Sequence, residues 1–466
     1  MLFNSLEFFV FILILFPIYF FSNLKVQRII LFLFSLYFYA SLKIIFVPLI
    51  FFSFFTTYYF TKKLDSTDSN WKQFYLGIVL IVNLGLLALF KYTDFFRDAI
   101  TDLGLSSSKY EKIGFVLPLG ISFYTFQAIA YSIDVYRKKI QTENSFFNFS
   151  LFLLFFPQLV AGPIMRASNL LPQFEIEKKF NLENLKSGLL IMALGFFKKT
   201  IIADPIGDVI KPIYDSPEHF GGLTCFLALI LFVVQIYCDF AGYSDIAIGI
   251  GKVLGFEIPI NFLRPYLANS ITDLWRRWHI SLSTWLRDYV FISLGGSRVG
   301  NFRSYINVFF TMLVGGLWHG ANWTFLVWGG INGLFLCIEK LFSDTRFGNY
   351  CAGLPRIIRT FYCVFIFAIG ANFFRSKTLG DTLTSFKKMF TLQNGEVNTD
   401  LYSLNLVLPI IVLFGIEILE ESQKLDSFKK FINWDFWKTP ILIGLYTLCI
   451  LIYTVISSPQ FYYFQF

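Results

Sequence analysis

Residues 304 to 338, SYINVFFTMLVGGLWHGANWTFLVWGGINGLFLCI, contain no Asp, Glu, Lys or Arg over 35 consecutive positions. As one α-helix this run would measure about 50 Å, well beyond the roughly 30 Å hydrocarbon core of a bilayer. A stretch this long and this apolar belongs in a membrane, and it must bend or break on the way. The place for the break is Gly315-Gly316-Leu317-Trp318-His319-Gly320, where three glycines allow the backbone to turn and another chain or ligand to approach closely. His319 then stands inside or at the edge of the membrane, flanked by Trp318 and Trp323. An ionisable side chain at that depth is rare and points to function, the alternative being a structural histidine satisfied within the core. Apolar surroundings favour the uncharged imidazole, the form that accepts a proton as a general base.

The whole chain fits a membrane setting. Of its 466 residues 56% are hydrophobic and only 15% charged, against about a quarter charged in a typical soluble domain. Apolar runs recur throughout, with no interval fit to build a separate soluble core, so residues 1–466 are expected to form one all-α, polytopic membrane domain. Expected spans are 6–22, 28–42, 44–61, 74–91, 114–133, 146–165, 186–203, 222–238, 241–256, 305–318, 321–338, 356–374, 404–419 and 440–457. Several are too short or too glycine-broken to cross alone, which reduces the expectation to about 10–13 membrane helices plus re-entrant and interfacial pieces. The start, MLFNSLEFFVFILILFPIYFF, lacks a basic leader and a small-residue cleavage site and is expected to remain as the first span. The 61 phenylalanines suit lipid exposure and receive no functional weight.

The net charge of +8 does not point to nucleic acid, because the Lys and Arg residues sit in short loops beside apolar spans. Lys25 and Arg28 follow the first span, and Lys62, Lys63 and Lys72 follow the third, whereas only Lys43 lies between the second and third. That alternation places the first and third loops in the cytoplasm and the amino terminus outside. Cysteines 225, 238, 337, 351, 363 and 449 show no metal spacing and read as small buried hydrophobes.

The longest interruption between spans, 257–304, contains WRRWHISLSTWLRDY at 275–289. Ser270-Ile271-Thr272-Asp273 matches a capping box, so a helix is expected to start there. Positions 275, 278, 279, 282, 286 and 289 would form one apolar face, with Arg276, Arg277, Ser283 and Arg287 elsewhere: an amphipathic helix at the membrane surface. A plain interfacial anchor explains that pattern as well as a ligand site does, and His279 on the apolar face leaves a second role open. The three histidines, His219, His279 and His319, include no HExxH pair, and neither a G-x-S-x-G elbow nor a complete phosphate loop is present. Zinc protease, serine hydrolase and ATP-driven pump are therefore disfavoured. Proton chemistry at histidine, without a metal, remains.

The chain resembles the membrane-bound O-acyltransferase (MBOAT) family, in its bacterial alginate O-acetylation branch, over nearly its whole length. The motifs that carry the resemblance are MLFNSLEF (1–8), LPLGISFYTFQAIAYSIDVYR (117–137), FPQLVAGPIMR (156–166), YCDFAGYSDIAIG (237–249), WRRWHISLSTWLRDYVFISLGG (275–296), GGLWHGANWTFLVWG (315–329) and the terminal YFQF. The resemblance implies that His319 is the catalytic histidine and His279 the second histidine of the pattern. Ser293 departs from it, since the family has proline before Leu-Gly-Gly. By the same resemblance the fold is a ring of membrane helices around a thin centre pierced by a funnel or tunnel.

On that resemblance a cytoplasmic thioester, acetyl-coenzyme A or an acyl carrier protein, donates an acyl group to a hydroxyl on the other side, with no permanently bound cofactor. Arg276, Arg277 and Arg287 are candidates to hold the donor's phosphates, with headgroup contact as the bland alternative. Trp318 and Asn322 flank the histidine; Asp239 and Asp245 would order the arginines or His279 by ion pairs, or pair structurally; Gln158 and Arg166 would line the same cavity. The expected function is acetyl transfer toward an exported cell-surface polysaccharide in the bacterial inner membrane, with a periplasmic or membrane-anchored acetyltransferase as partner. The alternatives are peptidoglycan O-acetylation, teichoic-acid D-alanylation, a proton-coupled transporter or flippase, and a non-catalytic scaffold. The lack of a visible internal repeat weighs against the transporter.

Overall fold

The computed structural model describes residues 3, 5–67, 71–106, 112–159 and 162–424. The expected span 440–457, Cys449 and the terminal YFQF lie outside the described residues, and MLFNSLEF and FPQLVAGPIMR lie only partly within them. Among the described residues the secondary structure is helical, with one isolated bridge between Phe220 and Glu396. The helices are α1 (Leu6–Phe20), α2 (Leu24–Lys43), α3 (Val47–Asp65), α4 (Trp71–Leu87), α5 (Thr93–Asp102), α6 (Ile121–Tyr136), α7 (Phe146–Leu154), α8 (Phe156–Leu159), α9 (Ala167–Phe174) and α10 (Leu182–Phe196). They continue with α11 (Asp204–Asp215), α12 (Gly222–Val253), α13 (Ile271–Arg277), α14 (Ile280–Trp285), α15 (Asn301–His319), α16 (Trp323–Phe342), α17 (Arg346–Gly353), α18 (Arg356–Arg375), α19 (Leu379–Thr391) and α20 (Leu404–Glu421).

Among the described residues six segments are long and apolar enough to cross a bilayer: Leu24–Ser41, Ile44–Asp65, Trp71–Asp102, Gly222–Val253, Trp323–Phe342 and Arg356–Arg375. The protein is a multi-pass membrane protein. Several expected boundaries change. The spans placed at 222–238 and 241–256 are one continuous helix, α12, because the acids that seemed to interrupt it, Asp239 and Asp245, are neutralised by lysines. The span expected at 146–165 is divided into α7 and α8, and helix 114–133 begins only at Ile121, after Gly120 in a left-handed conformation.

The chain divides into two compact units. The first comprises Met1–Leu189 with Ala247–Pro259. Its interior is a phenylalanine cluster in which Phe156 meets Phe11 at 5.2 Å and Phe38 at 5.8 Å between ring centroids. Small polar side chains join its helices. Asn83 of α4 accepts from Ser53 at 2.7 Å and donates to Thr57 at 2.9 Å, both on α3, as polar groups in membrane helices do when water is absent.

The second unit comprises Leu190–Ile246 and the described residues from Ile260 onward. It holds the charge-free run of 304–338. That run breaks after His319, at Gly320–Asn322, within one residue of the expected site. Gly315 and Gly316 do not turn the chain; they remain helical and serve packing instead. A Cβ on Gly316 would collide with the carbonyl oxygen of Phe325, and one on Gly329 with that of Met312, so α15 and α16 are in backbone contact there.

Gly316→Ala or Gly329→Ala is expected to destabilise the protein by about 1–3 kcal/mol through overpacking, read as a lower apparent unfolding temperature in detergent. Gly77→Ala and Gly85→Ala, whose added methyl meets nothing within 4 Å, leave it unchanged.

Candidate active site

The site is built around α13, a helix of seven residues whose backbone amides need partners at its start. Ser270 supplies one, its Oγ accepting from the Asp273 amide at 2.9 Å. The capping box is altered, because the Asp273 carboxylate takes the amide of Asn269 at 3.1 Å rather than that of Ser270. A second carboxylate completes the cap: Glu339 of α16 accepts from the amides of Ile271 at 2.6 Å and Thr272 at 2.9 Å, an anion set against the positive end of the helix. From there α13 runs along α16, with Trp275 against Trp328 at 5.8 Å.

The expected amphipathic helix through 289 does not form. The chain leaves the helix at Trp278, which is extended, and turns at His279, whose φ of +42° and ψ of +55° lie in the left-handed region. It restarts as α14 and a π-helical turn, Leu286–Phe291. A left-handed conformation costs a non-glycine residue about 1–2 kcal/mol, so the surroundings must enforce it. The enforcer is Asn261, fully buried. Its carbonyl accepts from the amide of Ile280 at 2.9 Å, and its Oδ1 accepts from the Ser281 amide at 3.2 Å and hydroxyl at 2.9 Å. Its Nδ2 donates to Ser244 of α12 at 3.1 Å.

The elbow brings the two histidines together. Their ring centroids are 6.4 Å apart, with Trp318 beside both, 5.8 Å from His279 and 5.0 Å from His319. His319 is the last residue of α15 and packs edge-on against Trp328 at 4.9 Å and Phe374 at 5.3 Å. It borders a small apolar cavity formed with Ile236 and Phe240 of α12, Trp278, Trp328 and Phe367. His279 has no exposure, lies 4.6 Å from the Phe240 ring, and has no hydrogen-bond partner for either ring nitrogen among the described residues. Burial pulls its pKa down from 6.5 to about 3, so the ring is neutral.

The other expected site residues are distributed differently. Asn322 caps α16, accepting from the Thr324 amide at 3.2 Å and donating to the Lys377 carbonyl at 3.0 Å. Asp239 pairs with Lys199 and Asp245 with Lys198, each at 2.8 Å. Arg277 is occupied by Asp273 at 3.0 Å and Glu421 at 3.1 Å. Arg287 is exposed beside Asp288 at 2.8 Å, and Arg276 is exposed with no ion pair to a described residue. Gln158, buried and donating to the Phe152 carbonyl at 2.6 Å, and Arg166, at the start of α9, belong to the first unit, whereas the histidines belong to the second. Ser293, at the proline position, donates to the Tyr289 carbonyl at 2.7 Å.

Sequence reasoning missed Asn261, Glu339, Lys198 and Lys199. The lysines had a readable signal, two adjacent cations inside an expected span. Asn261 had only its position as a polar residue in the run IPINFL.

Residues 69–380 match the profile of the MBOAT, membrane-bound O-acyltransferase family. The chain belongs to this family. Its likeness extends to individual members: it is 38% identical to the probable alginate O-acetylase AlgI of Pseudomonas aeruginosa over 358 residues, 74% of this chain and 67% of that protein. It is 37% identical to the peptidoglycan O-acetyltransferase of Helicobacter pylori over 364 residues, 72% of this chain and 68% of that protein. The teichoic acid D-alanyltransferase of Streptococcus thermophilus shares 31% identity over 47% of this chain and 56% of its own length. As a membrane-bound O-acyltransferase, the protein is an enzyme of acyl-group transfer to oxygen.

Asn261→Ala removes the clamp on the elbow and leaves buried polar groups unpaired, an expected loss of about 1–3 kcal/mol, read as a lower unfolding temperature in detergent. His279 adds a pH dependence. Its imidazole protonates near 6.5 when unfolded and only near 3 when buried, so its contribution to stability is complete above about pH 6.5 and is lost as pH falls toward 3. The slope is about 1.4 kcal/mol per pH unit for one proton. It is absent in His279→Gln, as unfolding temperatures across that pH window would show.

Proposed function

We propose that this enzyme moves an acetyl group from a cytoplasmic thioester to a hydroxyl on the outer side of the bacterial inner membrane, for delivery to an exported cell-surface polysaccharide. The observation that carries the proposal is the position of His319: at the end of α15, bordering an apolar cavity, with the neutral imidazole of His279 6.4 Å away. Names of the similar proteins support acetyl over D-alanyl as the group moved, since the two acetyl-transferring relatives align over more of the chain and at higher identity.

In this reading His319 accepts the proton of the acceptor hydroxyl as its oxygen attacks the thioester carbonyl. The C–O bond of the ester forms, the C–S bond of the thioester breaks, and the proton passes to the departing thiolate, so no net proton is released. Aromatic walls keep water from competing for the acyl group. Acetyl-coenzyme A or an acyl carrier protein is the donor. With Arg277 committed to carboxylates, Arg276 is the arginine best placed to meet donor phosphates, and a periplasmic or membrane-anchored acetyltransferase receives the acetyl group. The amino terminus is outside, following the basic residues of the first and third loops.

His319→Ala and His319→Gln test the proposal. Ester-linked acetate on surface polymer should fall at least about 100-fold, the scale of a lost general base, while polymer export and the amount of protein in the membrane stay normal. Retained ester with blocked export would overturn the acyl-transfer reading in favour of a transporter.

A further inference from the structure

We propose that Glu421 is a positioning residue for His279, acting through Arg277 and Arg264. The inference rests on the histidine pair being the reacting centre. Two short segments, 261–264 and 277–280, lie side by side: the amide of Leu263 donates to the carbonyl of Arg277 at 2.9 Å, and the amide of Ile280 to that of Asn261 at 2.9 Å. Each segment carries one left-handed residue, Arg264 with φ of +46° and His279 with φ of +42°. Two such conformations in non-glycine residues persist only where neighbours over-determine them.

Asn261 secures one end of this pair of segments. At the other end Arg264 and Arg277 emerge together, and both grip the same carboxylate. Arg264 Nε lies 3.0 Å from one oxygen of Glu421, and Arg277 Nη1 lies 3.1 Å from both. Arg356, at the start of α18, adds a third contact at 2.7 Å. Arg264 also meets Glu420 at 3.2 Å and Arg277 meets Asp273 at 3.0 Å, so three guanidiniums face three carboxylates. The balance of charge makes this a clasp rather than a vacant anion site. Three arginine hydrogen bonds outweigh the effect of partial burial and hold the Glu421 carboxyl at about 2, so the clasp stays ionised over the working pH range.

Removing Glu421 has a specific consequence. The guanidiniums of Arg264 and Arg277 would face each other across the paired segments with their shared counter-charge gone. Repulsion separates the segments, the hydrogen bonds between them lengthen, and His279 relaxes toward an ordinary conformation. Its ring then leaves the place beside Trp318 and His319.

The chain contains three histidines, so ¹⁵N-histidine labelling of the purified, detergent-solubilised protein gives three ring environments, assigned with His219→Gln and His279→Gln. In Glu421→Ala the His279 resonance is expected to shift and its protonation midpoint to rise toward ordinary histidine values, while His219 stays in place. Ester-linked acetate in cells should fall at least ten-fold, with partial recovery in Glu421→Asp. Glu421→Gln, which keeps the size and drops the charge, replaces the alanine variant if that does not reach the membrane. Glu175→Ala, which breaks the Arg28–Glu175 pair of the first unit, is the control and should leave all three signals and the acetate unchanged. An unmoved His279 signal on loss of Glu421 overturns the positioning role whatever the activity. A moved signal, in a protein whose His319→Ala form still makes ester, upholds the positioning role and defeats the catalytic reading instead.

Discussion

A seven-residue helix leaves backbone groups without intrahelical partners at both of its ends, and the candidate site follows from how α13 satisfies them. At its start the amides go to Ser270 and to Glu339, the first charged residue after the uncharged run. At its end the backbone passes to Asn261, through an elbow that only a left-handed residue can make. The residue at that elbow is His279. Backbone hydrogen bonding thus decides where the second imidazole stands, and the packing of aromatic rings decides only which way it faces.

The same constraint explains the charges inside the protein. Lys199 lies between Asp204 at 2.5 Å and Asp239 at 2.8 Å, nearly fully buried, and Lys198 reaches Asp245 at 2.8 Å. An unpaired charge at such depth would be costly, and breaking one partner of a buried pair leaves the other uncompensated. These pairs let α12 continue unbroken past two acids, and α12 in turn supplies Ile236 and Phe240 to the cavity and Ser244 to Asn261. The ion pairs do not line the cavity, yet its wall depends on them.

Close helix approach contributes the other half of the site. Gly316 and Gly329 let α15 and α16 touch backbone to backbone, which sets His319 at the end of one helix against Trp328 on the other. Small residues at a helix interface let backbones approach closely, and that steric fit holds the pair together. His319 is therefore fixed by packing, whereas His279 is fixed by a strained backbone.

The sequence alone determined the membrane setting, the helical class and the break beside His319, and it singled out both histidines as candidates. Each of these depends on local composition or on a contiguous motif: an uncharged run too long for one crossing, and a rare ionisable group within it. It also announced the start of α13 through Ser270 and Asp273. What it could not determine was which charge meets which. Arg277 looked available to a phosphate and is held by Glu421, 144 residues away in the chain; Asp239 and Asp245 looked like partners for arginine and belong to lysines of a neighbouring segment. The elbow at His279 was hidden for the same reason, since helical periodicity continues through it and the turn is held by hydrogen bonds that Ile280 and Ser281 donate to Asn261, outside that segment. Coulomb and hydrogen-bond partners are chosen by distance in space, and in a helical membrane protein that distance exists only after the helices have packed.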